Sequence, residues 1–312
     1  MKDFITYLKN YLSRQSLRNI ICIIVFTGSL VVCNYTFGVE RRIRDIHPWY
    51  LSLFCFFFFY SFTFFFAWAV VGAGELRSHA SRRRFLQVLL IAPLYFSFKM
   101  IHWDLTPILP STLHYPWDSY ALIVLQLPAK LVLLCLILWF CYRLLGEDEI
   151  PAPARFGLSR NGFRATPYFL LLACMLPLIA LASTQPDFLH TYPKVKNIGF
   201  ISGYTTPVWP WQLLYELSYG MDFLSIELFF RGLLVIGLVR YAGEKAILPM
   251  AAFYCTIHFG KPLGECISSF FGGLILGVIA LRTRSILGGL IVHLGLAWLM
   301  EVGGWLGNLG RL

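Results

Sequence analysis

Apolar residues come in runs long enough to cross a bilayer, divided by connections that hold most of the charge. The runs predict spans at about 19–39, 49–72, 85–103, 120–145, 166–183, 211–241, 246–259, 263–281 and 286–305. The second is crowded with Phe, and Pro128 and Lys130 predict a kink in the fourth. The sixth is longer than one crossing needs, which predicts a tilt or a break near Gly220. The seventh is short and is ended by Gly260, Pro262 and Gly264. In the eighth, Gly272, Gly273 and Gly277 permit close helix contact. The expected fold is all-α, a polytopic bundle of about eight or nine spans.

The connections fix the expected topology. Basic residues gather at 73–84 (Arg77, Arg82, Arg83, Arg84), 146–165 (Arg155, Arg160, Arg164), 240–245 and 282–284. Their positive charge predicts that all four are cytoplasmic, and with them the N-terminus. The segment 104–118 has no Lys or Arg and is expected outside, as is the stretch before Pro210. Arg41, Arg42 and Arg44 dissent from this alternation. Residues 1–18, with Lys2, Lys9, Arg14 and Arg18, predict a basic amphipathic arm on the cytoplasmic surface. The hydrophilic stretch 146–165, with Glu147, Asp148 and Glu149, is the clearest boundary. It divides a transmembrane region at 19–145, of unassigned role, from a core at 166–305.

Composition agrees with a chain immersed in lipid: 58% of the 312 residues are hydrophobic and 13% are charged. A soluble domain carries about a quarter charged residues. The net charge of +10 does not predict nucleic-acid binding, because the basic residues fall in short connections rather than on a soluble basic stripe. The eight cysteines lie in or beside apolar runs and form no CxxC pair. That excludes a disulfide framework and a thiolate zinc site, and leaves them as packing residues. The first apolar run is long enough to span rather than to be removed, so no cleavable signal is expected. The expected partners are the lipid bilayer and a membrane protein or peptide; the oligomeric state stays open.

A few polar residues interrupt the last runs. In Ser225-Ile-Glu-Leu-Phe-Phe-Arg231, Glu227 and Arg231 stand four apart, on one helix face. Ionised groups in hydrocarbon pair with each other or face a polar cavity. Glu216 precedes Glu227 by close to three turns and shares its face, whereas Asp222 lies off it. His258 follows Tyr254 by one turn, and His293 stands mid-run; Glu265 and Glu301 complete the set. Three readings stay open at this point. Glu227 and Arg231 form a structural salt bridge; or Glu227, His258 and His293 ligate zinc; or Glu227 is a general base beside histidines that bind water and an oxyanion.

Three ordered segments carry a resemblance: Ile226-Glu227-Leu-Phe-Phe-Arg231, Tyr254-Cys-Thr-Ile-His258 and His293-Leu-Gly-Leu-Ala297. They are similar to the EExxxR, FxxxH and HxxxN/D motifs of the CPBP intramembrane proteases (the CaaX protease, bacteriocin-processing or Abi family). The likeness covers about residues 165–305, with Phe230-Arg231-Gly232 and Gly272-Gly273 as supporting flanks. It implies an intramembrane endopeptidase with Glu227, His258 and His293 catalytic and Arg231 and Tyr254 supporting. In that scheme Glu227 polarises a water, His258 positions it or shuttles a proton, His293 stabilises the oxyanion, and Arg231 orients Glu227. The implied substrates are prenylated C-terminal peptides, leader peptides or transmembrane segments. No cofactor is the favoured account; a divalent metal such as zinc on Glu227, His258 and His293 is the alternative. Three positions depart from the motifs: Ile226 replaces the first Glu, Tyr254 replaces Phe, and Ala297 replaces the Asn or Asp. Two rivals follow. One is a catalytically degenerate scaffold that uses this fold to bind and regulate a membrane protein. The other is a transporter relaying protons through Glu and His, which would be expected to show an internal repeat not seen here.

Overall fold

The computed structural model describes residues 2–72, 79–145, 152–160 and 163–309. Arg77 and the acidic run Glu147–Glu149 lie outside them. The α-helices are α1 (Lys2–Arg14), α2 (Leu17–Phe37), α3 (Val39–Arg44), α4 (Trp49–Val71), α5 (His79–Met100), α6 (Trp117–Leu145), α7 (Ala152–Arg155), α8 (Thr166–Ala182), α9 (Pro186–Thr191), α10 (Trp209–Glu227), α11 (Val239–Ala242), α12 (Ile247–Thr256), α13 (Leu263–Thr283) and α14 (Leu287–Leu309). Short 3₁₀ turns join some of them, and a π-helical segment, Leu228–Gly237, continues α10. No strand occurs among the described residues, as the all-α expectation requires. Among the described residues, five helices, α2, α4, α6, α13 and α14, are long and apolar enough to cross a membrane; α8 is apolar but shorter.

The amphipathic logic of a soluble protein is inverted along α4. Phe56, Tyr60 and Phe64 form an i, i+4 stripe that is at most 1% exposed. Phe54, Phe58 and Phe62 form a second stripe, each more than half exposed. A continuous row of bare Phe is untenable in water and ordinary against acyl chains. With lipid outside, burial of apolar area gives little net drive, so close packing must hold the helices together.

The described chain divides into two compact units. The first comprises 1–101, 137–164 and 227–289. Its interior is aromatic: Phe253 of α12 lies 5.1 Å from Phe64, 5.4 Å from Tyr60 and 5.5 Å from Phe230, ring centroid to centroid. Phe229 stands 5.0 Å from Tyr95 and 5.4 Å from Phe96 of α5. Such pairs contribute about 0.5–1.5 kcal/mol each beyond their area. The α2–α3 corner turns at Gly38 (φ 63°), whose N–H donates to the Asn34 carbonyl at 2.7 Å. The Asn34 Oδ1 then accepts from the Glu40 N–H at 2.8 Å.

The second unit comprises 102–136, 165–226 and 290–312. Tyr120 and Val124 of α6 pack with Ile198, Ile201 and Tyr215. Ser218 of α10 donates to the Val124 carbonyl at 2.6 Å. Gly304 of α14 sits so close to Tyr192 that an added Cβ would fall 2.6 Å from its backbone carbon. The buried Glu301 holds the start of the Lys194–Gly203 run: its carboxylate accepts from the Lys194 N–H at 2.7 Å and the Val195 N–H at 3.1 Å.

Several helix limits agree with the sequence pattern within two or three residues, among them α2, α4, α8 and α13. Two expectations are corrected. Arg82–Arg84 do not form a loop; they lie in the first turns of α5, whose helix begins at His79. The long sixth run does not break at Gly220. That glycine is a close-contact point, where a Cβ would stand 3.3 Å from Leu294, and the irregularity begins eight residues later.

Replacing Glu301 with Ala strands two part-buried backbone donors, so it is expected to cost about 1–3 kcal/mol. Glu301→Gln, which keeps an acceptor oxygen, should cost less. Thermal unfolding of the purified protein in detergent reads both; equal midpoints for all three chains would contradict the capping role.

Candidate active site

Glu227 is the last residue of α10, and Arg231 lies in the π-helical segment that follows. All ten residues of that segment are buried. Its widened turn is accommodated by glycine: a Cβ on Gly232 would stand 2.7 Å from the Phe156 carbonyl oxygen. π-helical turns are uncommon and recur at functional sites.

The two ionised side chains are wholly buried, with Arg231 Nη1 3.3 Å from Glu227 Oε1. The guanidinium carbon lies 4.4 Å from the centroid of the Tyr254 ring. One cation therefore meets a carboxylate and an aromatic face, which suits the planar guanidinium better than an ammonium. Tyr254 is itself fixed by Phe230, 4.9 Å away edge-on. The His258 ring stands 4.6 Å from Tyr254, and His258 Nδ1 is 2.8 Å from the Tyr254 carbonyl oxygen. A carbonyl only accepts, so this bond places the proton on Nδ1 and the lone pair of the neutral ring on Nε2.

His258 lies just past the end of α12, and the chain reverses at Gly260 (φ 83°) before α13 begins at Leu263. The amino-terminal part of the same unit supports this reversal. Tyr35 Oη donates to the Lys261 carbonyl at 2.5 Å, and a Cβ on Gly260 would fall 2.6 Å from Glu40 Oε2. Glu40 is ion-paired with Arg44 one turn later, and Lys261 with Glu265 at 3.3 Å.

Four of the five residues singled out from sequence, Glu227, Arg231, Tyr254 and His258, therefore stand together in the first unit. His293 belongs to the second unit, where its ring is 5.2 Å from Phe223. Ile226 and Ala297, at the two departing motif positions, are both buried. Among the described residues, no group of three His, Cys, Asp or Glu is gathered as a metal site. One contact was missed from sequence. Gly289, near the start of α14, packs against the Glu227 carboxylate, and a Cβ there would overlap Oε2. The adjacent pair Gly288-Gly289, four residues before His293, was the available signal.

Residues 209–299 match the family described as Rce1-like, type II CAAX prenyl endopeptidase. This stretch is similar to that family. The match contains all three motif segments and shows the CaaX-protease resemblance read from the sequence. No curated protein and no solved structure matches the chain. Together with five helices long and apolar enough to cross a membrane among the described residues, the match supports an integral membrane protein.

Removing one partner of a buried ion pair leaves an uncompensated charge and costs about 3–5 kcal/mol. Arg231→Met is expected to lose that much, and Glu227→Gln combined with Arg231→Met to recover a large part of it. Denaturation in detergent measures the cycle; additive losses would mean that the two charges do not depend on each other.

Proposed function

We propose that this protein is an intramembrane endopeptidase in which Glu227 activates the attacking water. The Rce1-like match supports the reaction class. The observation that carries the assignment is the buried Glu227–Arg231 pair, braced on Tyr254 one turn before a histidine whose Nδ1 is committed to a carbonyl.

In the proposed reaction, the Glu227 carboxylate takes a proton from water as its oxygen attacks the scissile carbonyl. Nε2 of His258, the ring's acceptor nitrogen, holds that water or relays the proton to the leaving amine. His293 donates to the developing oxyanion. Arg231 keeps the Glu227 carboxylate oriented. The substrate is a membrane-anchored protein or peptide. On this reading the chain crosses the bilayer about eight or nine times, with the N-terminus cytoplasmic. A divalent metal would draw on Glu227, His258 and His293; no step above depends on one.

A second reading has a specific observation behind it. Ile226 and Ala297 stand where the motifs carry polar groups, and Glu227 has no exposed surface. On that reading the fold is a non-catalytic scaffold that regulates a partner membrane protein.

Glu227→Gln should lower cleavage at least about 100-fold. Comparing protein N-termini in membranes holding the native chain or Glu227→Gln, at matched abundance, reads this directly. Identical termini, with both proteins inserted, would favour the scaffold. Cleavage by the native chain is expected to survive prolonged treatment with a strong zinc chelator; its loss, and return on adding zinc, would reassign the site to a metal.

A further inference from the structure

Two cysteines meet at the reversal between α12 and α13, in the first unit. Sγ of Cys255 lies 3.4 Å from the Cys266 carbonyl oxygen, and Sγ of Cys266 lies 3.8 Å from the Cys255 carbonyl oxygen. Both side chains are buried and both thiols are free. Neither takes part in the reaction proposed above. We propose that Cys255 and Cys266 form a dithiol site that a small hydroperoxide oxidises reversibly to a disulfide.

The fold brings the pair together. The two residues stand 11 apart in sequence, one at the end of α12 and one in the first turn of α13. Glycine lets these helices lie close: a Cβ on Gly273 would fall 2.9 Å from the Tyr254 ring, and one on Gly277 2.6 Å from Met250. Hydrogen bonds fix both ends of the reversal. The His258 N–H donates to the Cys255 carbonyl at 3.0 Å, and the Cys266 N–H donates to the Pro262 carbonyl at 3.0 Å. Ser269 Oγ donates to the Cys266 carbonyl at 2.6 Å. Each sulfur is held against the main chain of the opposite cysteine, so the side chains approach from facing helices, as a bridge requires. Cysteines that only fill space need no partner of their own kind.

The oxidation proceeds in two steps. The sulfur of one cysteine attacks the peroxide, the O–O bond breaks, and a sulfenic acid forms; the thiol proton leaves with the alcohol, or with water where the oxidant is hydrogen peroxide. The second sulfur then attacks the sulfenic sulfur, the S–O bond breaks, and the hydroxyl leaves as water with the second thiol proton. The two sulfurs give up two electrons and the peroxide oxygens gain them. A thiol reductant reverses the bridge by exchange. Burial of both sulfurs favours an oxidant that is small and uncharged. Tyr35, which lies beside Cys266, is itself exposed and forms the outer cover of the pair. The bridge closes the chain from 255 to 266 into a loop that holds His258, Gly260 and Pro262. Such a closure restricts the unfolded chain, so the oxidised protein resists unfolding better than the reduced one.

The test treats the reduced full-length protein, folded in detergent, with hydrogen peroxide and maps its proteolytic fragments by mass spectrometry. A fragment in which Cys255 is joined to Cys266, lighter by two hydrogens and restored by dithiothreitol, is expected. Oxidation should raise the midpoint of thermal unfolding of the native chain by several degrees, and dithiothreitol should return it. Cys255→Ser and Cys266→Ser keep a small side chain with a donor, so both should fold, and neither should show the rise. Cys141→Ser, at a buried cysteine elsewhere in the first unit, should behave as the native chain does. Absence of the bridge, or a bridge that appears only after unfolding in denaturant, would overturn the proposal. So would an equal rise in either of the two Ser variants at the pair. None of these readouts involves peptide cleavage, so they test the dithiol site whether or not the chain is a peptidase.

Discussion

A carboxylate and a guanidinium with no exposed surface, four residues apart, set the terms for the rest of this structure. Neither charge can be left alone in an apolar interior, and their mutual attraction offsets the desolvation cost only with good geometry and further partners. The surrounding residues read as answers to that demand. Tyr254 covers the guanidinium, Phe230 fixes Tyr254, and Gly289 withholds a side chain so that α14 can close over the carboxylate. The π-helical widening falls on the segment that must carry Arg231 while burying all ten of its residues. The same device serves a catalytic site or a structural lock, so the pair by itself does not name the function.

The aromatic shell of the first unit follows from lipid as solvent. Where apolar burial yields little, ring against ring supplies shape and dispersion contact. Phe64, Phe96, Phe229, Phe230 and Phe253 form such a lattice directly behind the ion pair. This gives the amino-terminal residues a physical task. α4 and α5 supply rings to that lattice, while Tyr35 and Glu40 brace the reversal after His258. Residues outside the Rce1-like stretch thus fix the position of a residue inside it.

The long helices were legible because each is an uninterrupted apolar run with a marked end. Gly38 and Gly72 close α2 and α4, and Pro262 opens α13. The Glu227–Arg231 pair was legible because charge is scarce there and helical spacing is regular. What escaped has no periodic signature. The π-helical segment uses the same residues as an α-helix and differs only in hydrogen-bond partner. Arg82–Arg84 look like a loop because charge resembles a connection, yet they lie in the first turns of α5. Gly220 looks like a break because glycine is a poor helix former, but here it makes room for Leu294. The Gly289 contact and the Cys255–Cys266 contact needed the fold itself, since each joins residues on different helices.

The two departing motif positions have different physical weight. Ile226 precedes Glu227 by one residue, so its side chain points about 100° away along the helix. A carboxylate at 226 and one at 227 would face different surroundings, and Glu227 is the one that meets Arg231, with Gly289 shaped to receive it. A site that had merely lost its first Glu would be under no pressure to keep a buried charge, because an apolar pair of similar volume is often at least as stable. The buried pair is therefore harder to explain as packing than the absence of Glu at 226 is to explain as loss. Ala297 weighs the other way. It is buried on α14, one turn past His293, and a methyl group there offers nothing to an oxyanion. On the proposed mechanism, oxyanion stabilisation would fall to His293 alone or to backbone donors, a weaker arrangement than two side chains provide.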